Sequence, residues 1–455
     1  MSGVVRDRVP EPGPIRPFAF PPLVRSVRAN GMTLLTARHG TLPVVTAQVV
    51  VRAGAAADPA GREGLAHLAT EGLDTGTPAH DGDALAWAFE RLGVELVTAA
   101  TWDDITLQVT MPASRLVDAL VLLAEVARGA IFPSAEIERL RGEQLALILQ
   151  NRKEPRALAD DAFNRFTFAE DVRYARPLHG TRQTVSGLAR DDVGTFHSSW
   201  FTPSAAALIL AGDIDADRAA ALVDRHFGDW TGRAAVPPAF DVKPRAARTE
   251  IHVVHRADAV QSEIRVGHPT VARGHPDHAP IQVMNTLLGG AFTSRLNLNL
   301  REKHGFTYGV RSGFGHRRNG GRFLIATAVA TEVTAAAVEQ ILLELDRLHR
   351  DGAEEPEVAN ARDYLTGITP LQIQTAEQVA DRLSDLFVYD LPDDHFDRFR
   401  DAVGRVTPDD LGRVAREHLH PHALAVVVAG NADVAEPALR ALVAGPFERH
   451  TADDS

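Results

Sequence analysis

The chain has 455 residues, more than one core ordinarily holds, and its 45% hydrophobic and 24% charged content is that of a protein folding into about two to four domains. Its 48 Lys and Arg against 60 Asp and Glu leave a net charge of −12, which works against a polyphosphate partner, so no nucleic acid is expected. The absence of cysteine excludes disulfides, thiolate metal sites and cysteine nucleophiles together.

The first twenty residues hold prolines and an Arg-Asp-Arg but no apolar core, so no signal peptide is expected. No apolar run reaches the roughly 18–20 residues needed to span a bilayer, and the expectation is a cytoplasmic protein without a membrane partner. A Pro-rich extension over residues 1–30 precedes strand-like runs at 32–37 and 43–53, a helix at 63–73 and another at 83–92. Alternating runs at 94–100 and 105–111 follow, and helical periodicity then covers 113–130 and 134–168. Residues 232–248, with prolines at 237, 238 and 244, make a linker. Beyond it, strands are expected at 250–255, 262–268, 306–314 and 322–330. Helices are expected at 276–288, 293–303, 334–348, 354–371, 375–389 and 395–403.

A repeat organises this series. Residues 191–215 and 409–433 align without gaps at an offset of 218, with nine identities in 25 positions, among them Asp191/Asp409, Pro203/Pro421 and Gly212/Gly430. Each copy is an Asp pair opening a helix, a Pro turn, an aliphatic strand and a Gly turn. Strands and helices come in blocks, so the fold class is α+β. Two homologous α/β-sandwich halves are expected, at 31–231 and 249–447, each an antiparallel-rich sheet packed by helices.

Residues 64–77, GLAHLATEGLDTGT, begin on the helix expected at 63–73. Two His at i and i+4 with a Glu between them would hold Zn²⁺ on one face and take a proton from its water. Here only His67 of such a set stands, followed by Thr70 and Glu71. Two ligands are too few for a working site, and His67 with Glu71 makes an ordinary helix pair. Residues 287–314, LLGGAFTSRLNLNLREKHGFTYGVRSGF, form a second motif, in which Gly305 caps the helix and turns the chain so that Tyr308 enters a strand. Other classes lack support, since there is no Gly-x-Ser-x-Gly and no phosphate loop. His418, His420 and His422 are expected to be exposed turn residues.

Both motifs resemble those of the insulinase-like (inverzincin, pitrilysin-related) peptidases. The first matches at Gly64, Ala66, His67, Gly76 and Thr77, and the second at Gly289, Gly290, Ser294, Arg295, Leu296, Arg301, Glu302, Gly305 and Tyr308; the resemblance implies that Thr70 stands at the general-base position and Glu71 at that of the second zinc ligand. The resemblance implies two halves forming a half-clamshell. It also implies a third ligand, a Glu, near residues 144–148, where this sequence has QLALI; Glu143 is the nearest acid. It further implies a heterodimer, or a dimer of heterodimers, whose other chain carries His-x-x-Glu-His and the Zn²⁺. This chain would bind no metal, close the chamber over a peptide substrate, and supply Arg301 and Tyr308 as catalytic residues. The hairpin over 94–111 would offer an edge strand for substrate, with Thr98–Ala99 standing where catalytic relatives often have Asn-Ala. A catalytically silent scaffold of the same fold is the alternative, and an autonomous peptidase a third.

Overall fold

The computed structural model describes residue 13 and residues 16–451. Part of the Pro-rich extension therefore lies outside the described residues.

The first half is built on β1 (Leu23–Val27), β2 (Thr33–Arg38), β3 (Val44–Val51), β4 (Val97–Ala100), β5 (Ile105–Pro112) and β6 (Ala206–Gly212), in the order β1-β2-β6-β3-β5-β4. The second uses β7 (Glu250–His255), β8 (Gln261–Thr270), β9 (Val310–His316), β10 (Gly321–Ala330), β11 (Ala425–Gly430) and β12 (Phe447–His450), in the order β12-β7-β11-β8-β10-β9. Sheet one has a single parallel pair, β2 with β6; sheet two has β7 parallel to both β11 and β12. The 218-residue offset carries β2, β3, β5 and β6 onto β7, β8, β10 and β11 to within two residues, so the repeat spans both sheets. β6 and β11 are buried at every position, as their unbroken aliphatic runs require of a central strand covered on both faces.

Each sheet is covered on its second face by a helix from the other half. The helix Pro155–Thr167 lays Leu158, Ala159, Ala162, Phe163 and Phe166 against Val254, Val427 and Ala429 of sheet two. The helix Ala376–Val388 lays Val379, Leu383 and Leu386 against Leu35, Val50 and Ile209 of sheet one. Polar ties accompany the exchange: Arg265 on β8 donates to Asp160 at 2.6 Å, and Gln48 on β3 donates to Asp381 at 2.8 Å. The halves therefore share their cores.

Several expectations need correcting. The helical stretch 134–168 is two helices, Ser134–Asn151 and Pro155–Thr167, because Pro155 lacks an amide to continue the first and starts the second. The strand expected over 94–100 begins only at Val97. Residues 286–290 and 297–303 are wound as π-helix rather than α-helix. Edge strands β1 and β12 went unread, since short, half-exposed strands show little apolar alternation. His418 is no exposed turn residue. It ends the helix Pro408–His418, is 9% exposed, and meets Asp277 at 2.8 Å with His275 beside it.

Buried imidazoles make stability depend on pH. Burial lowers His197 to about 4 and His268 to about 3 from an ordinary 6.5. Between those values the unfolded chain binds more protons than the folded one, so stability is full above the ordinary value and is lost as pH falls through the folded values. The urea midpoint should therefore drop steadily as pH is lowered from about 7.5 to about 5, the range in which unfolded histidine titrates.

Candidate functional site: a degenerate metal helix and a pinned Arg/Tyr segment

The helix Leu65–Glu71 starts at Gly64, whose φ of +95° suits only glycine. A Cβ there would lie 2.5 Å from the His179 carbonyl oxygen. The buried Asp58 carboxylate satisfies the helix start, accepting from the Gly64 and Ala66 amides at 2.8 and 2.7 Å and from Arg173 at 3.0 Å. The helix packs beside β4, an open edge of sheet one.

The side chains at the motif positions have other partners. His67 is half-buried and meets His179 edge to face with ring centroids 4.5 Å apart; burial, then His179, lowers its pKa to about 4. Thr70 is buried, and its hydroxyl donates to the Ala66 carbonyl at 2.8 Å. Glu71 has an exposed surface but a partly desolvated carboxyl, and that desolvation, followed by the charges of Asp74 and Glu143, raises its pKa. At the start of the expected third-ligand stretch, Gln144 donates to the carbonyls of Gly64 at 3.1 Å and His179 at 2.8 Å, acting as a brace. Glu143 pairs with Arg139 at 2.7 Å and is largely exposed. Among the described residues, no three ligand atoms close around His67 within 4.8 Å. These residues do not fit a catalytic zinc ion.

The second motif is held together by its own polar groups. A Cβ on Gly289 would strike Ser312 Oγ at 2.5 Å, so this glycine permits close approach to β9. Arg295 grips Glu357 through two hydrogen bonds of 2.8 and 2.7 Å. Asn297, 6% exposed, donates to the Val310 carbonyl at 2.9 Å and accepts from the Val310 amide at 3.1 Å. The Gly305 amide reaches the Arg301 carbonyl at 3.1 Å with φ +64°, capping the helix as expected. On the far side, Thr327 on β10 donates to the Gly309 carbonyl at 3.0 Å.

Tyr308 sits at the tip of this pinned loop. The expected strand begins only at Val310, so Tyr308 lies outside it and is 99% exposed. Arg301 is more confined: its guanidinium lies 3.7 Å from the centroid of Phe292 and pairs with Glu302 at 2.7 Å. No hydrogen bond, ion pair or ring contact among the described residues joins His67, Thr70 or Glu71 to Arg301 or Tyr308. Sequence reasoning missed Asn297, Gln144 and His179. The one available signal was an amide at an apolar-periodic helix position, as Asn297 and Gln144 both are.

Residues 33–182 match the family described as insulinase, peptidase family M16, and residues 187–365 match the peptidase M16 inactive domain. An uncharacterized zinc protease of Mycobacterium tuberculosis is 27% identical over 377 residues, covering 82% of this chain and 86% of the relative. A Helicobacter pylori protein named non-peptidase homolog YmxG is 21% identical over 395 residues, covering 86% of this chain and 90% of its own. Among solved structures, the peptidase M16 inactive domain from Pseudomonas fluorescens has a TM-score of 0.85 at 22% identity, over 90% of this chain and 98% of that one. A protease from Helicobacter pylori has a TM-score of 0.84 at 17% identity, over 90% and 100%. With an M16 match on each half and the same two-sheet architecture, the chain belongs to the insulinase-like M16 peptidase family.

Proposed function

We propose that this chain is the non-catalytic-metal subunit of a two-chain M16 peptidase, closing the chamber over a short peptide or leader peptide. The observation that carries the reading is the pairing of a dismantled metal helix with a fully exposed Tyr308 on a loop braced from both sides. A phenol this exposed, on backbone pinned at the neighbouring Gly309 and Val310, is free to meet another molecule. The zinc and its base would be held by a partner carrying His-x-x-Glu-His, and would supply an activated water.

This chain's residues then act on the substrate. The Tyr308 hydroxyl donates a hydrogen bond to the oxygen that gains charge as the peptide carbonyl becomes tetrahedral. Arg301 adds a permanent cation, kept in place by Phe292 and Glu302. The match over residues 187–365 is named an inactive domain and one relative is named a non-peptidase homolog, which supports a chain without its own catalytic metal.

A silent scaffold is the second reading, favoured by the engagement of Arg301 with its own neighbours. Co-expression with a His-x-x-Glu-His partner and replacement of both Arg301 and Tyr308 by alanine separates the two. Loss of cleavage with unchanged assembly supports the subunit reading; unchanged turnover supports the scaffold.

A further inference from the structure

At the outer edge of sheet two, β7 and β12 run parallel with Glu448 opposite His252 and His450 opposite Val254. Alternation along the strands puts Glu250, His252, Glu448 and His450 on one face. His252 Nδ1 lies 3.2 Å from His450 Nε2 and 3.4 Å from Glu448 Oε2, and His450 Nε2 lies 3.5 Å from the same carboxylate oxygen. Ligand atoms about 2.0–2.1 Å from a tetrahedral zinc ion stand about 3.3–3.4 Å from one another, so this triangle has the dimensions of one face of a zinc site.

We propose that His252, His450 and Glu448 form a site for a divalent transition-metal ion, at the sheet edge and separate from the degenerate motif. Two imidazoles and one carboxylate suit Zn²⁺, Ni²⁺ or Cu²⁺ and not Ca²⁺ or Mg²⁺. The other nitrogen of His252, Nε2, is buried without a hydrogen bond and faces Glu250 Oε2 at 3.5 Å. With Nδ1 on the metal, Nε2 would carry the proton and donate it to Glu250, the carboxylate–histidine–metal arrangement that fixes tautomer and ring. Phe166, from the helix of the first half, stacks flat on His252 at 3.9 Å and lies 4.6 Å from His450, closing one side. Arg165 and Arg245, near the same Phe166 ring, oppose a cation; the carboxylates of Glu250 and Glu448 offset them.

The other such trio among the described residues, His275, Asp277 and His418, lacks this quality, because Arg413 already binds Asp277 at 3.0 and 2.6 Å. Glu448 is half exposed, which leaves the fourth corner of the first site to solvent. The ion would fasten the C-terminal strand to β7 beneath a helix of the opposite half. Neither Arg301 nor Tyr308 takes part, so the proposal stands whatever the fate of the two-chain reading.

Calorimetric titration of the chelator-treated full chain with Zn²⁺ should show one equivalent bound and a raised Tm. Binding should be lost in His450→Ala and Glu448→Gln, weakened about 10–100-fold in Glu250→Gln, and unchanged in His67→Ala. His450 and Glu448 lie on an edge strand, and circular dichroism checks that their variants fold. No binding by the unaltered chain overturns the proposal, as does binding that persists in His450→Ala or disappears in His67→Ala.

Discussion

Replacing Tyr308 with phenylalanine, in the chain reconstituted with a His-x-x-Glu-His partner, should lower kcat by about 10²–10³-fold, the usual cost of deleting one oxyanion donor. The substitution removes one hydroxyl and keeps the ring, and the ring touches nothing within this chain that would have to readjust, since the residue is 99% exposed. A donor used only as charge develops lowers kcat and kcat/KM together and leaves KM nearly as it was. A residue used for substrate binding would raise KM instead, and a scaffold residue would move neither. Steady-state kinetics on a fluorogenic peptide distinguish these outcomes, with size-exclusion chromatography confirming assembly.

Phe163→Ala should cost about 3–5 kcal/mol, as expected for emptying a fully buried aromatic site. Phe163 belongs to the first half by sequence, yet its side chain fills the layer over β11 of sheet two. The loss should therefore appear across the whole chain, as one cooperative transition at lower urea. Calorimetry on the variant tests this, and a transition split into a weakened half and an unaffected half would show the exchanged helices to be uncoupled. Asp160 and Arg265 cross the same boundary at 2.6 Å, which gives the coupling a polar component.

Much of the sheet architecture was legible because β strands announce themselves locally. The aliphatic runs of β6 and β11, each closed by glycine, repeat at a fixed offset that fits the rest of both halves. The helix exchange was not legible. Amphipathic periodicity shows that Pro155–Thr167 has an apolar face, but nothing local says which sheet that face covers. The π-wound segments at 286–290 and 297–303 have the composition of ordinary helix, and pattern reading misses them.

At the candidate site the residue types were visible and the placements only partly so. The departures at Thr70 and Glu71 stand in the sequence, whereas the use of Gln144 as a brace across 80 residues does not. The sequence places Tyr308 on a strand because the Gly305 turn leads directly into the strand-like run 306–314. The pinning of Val310 by the Asn297 side chain and of Gly309 by Thr327 holds the loop in another conformation. The His252, Glu448 and His450 triangle joins positions nearly 200 residues apart, beyond the reach of any spacing rule.

The central claim is a division of labour in which this chain has no hydrolytic centre of its own. The most direct measurement is peptide cleavage by the purified His450→Ala chain, alone and with a His-x-x-Glu-His partner, Zn²⁺ being supplied in both cases. That variant removes the edge site, so any metal-dependent turnover must come from elsewhere. The account predicts no cleavage by the chain alone and cleavage when the partner is added. Cleavage by the chain alone that disappears on His67→Ala would contradict it.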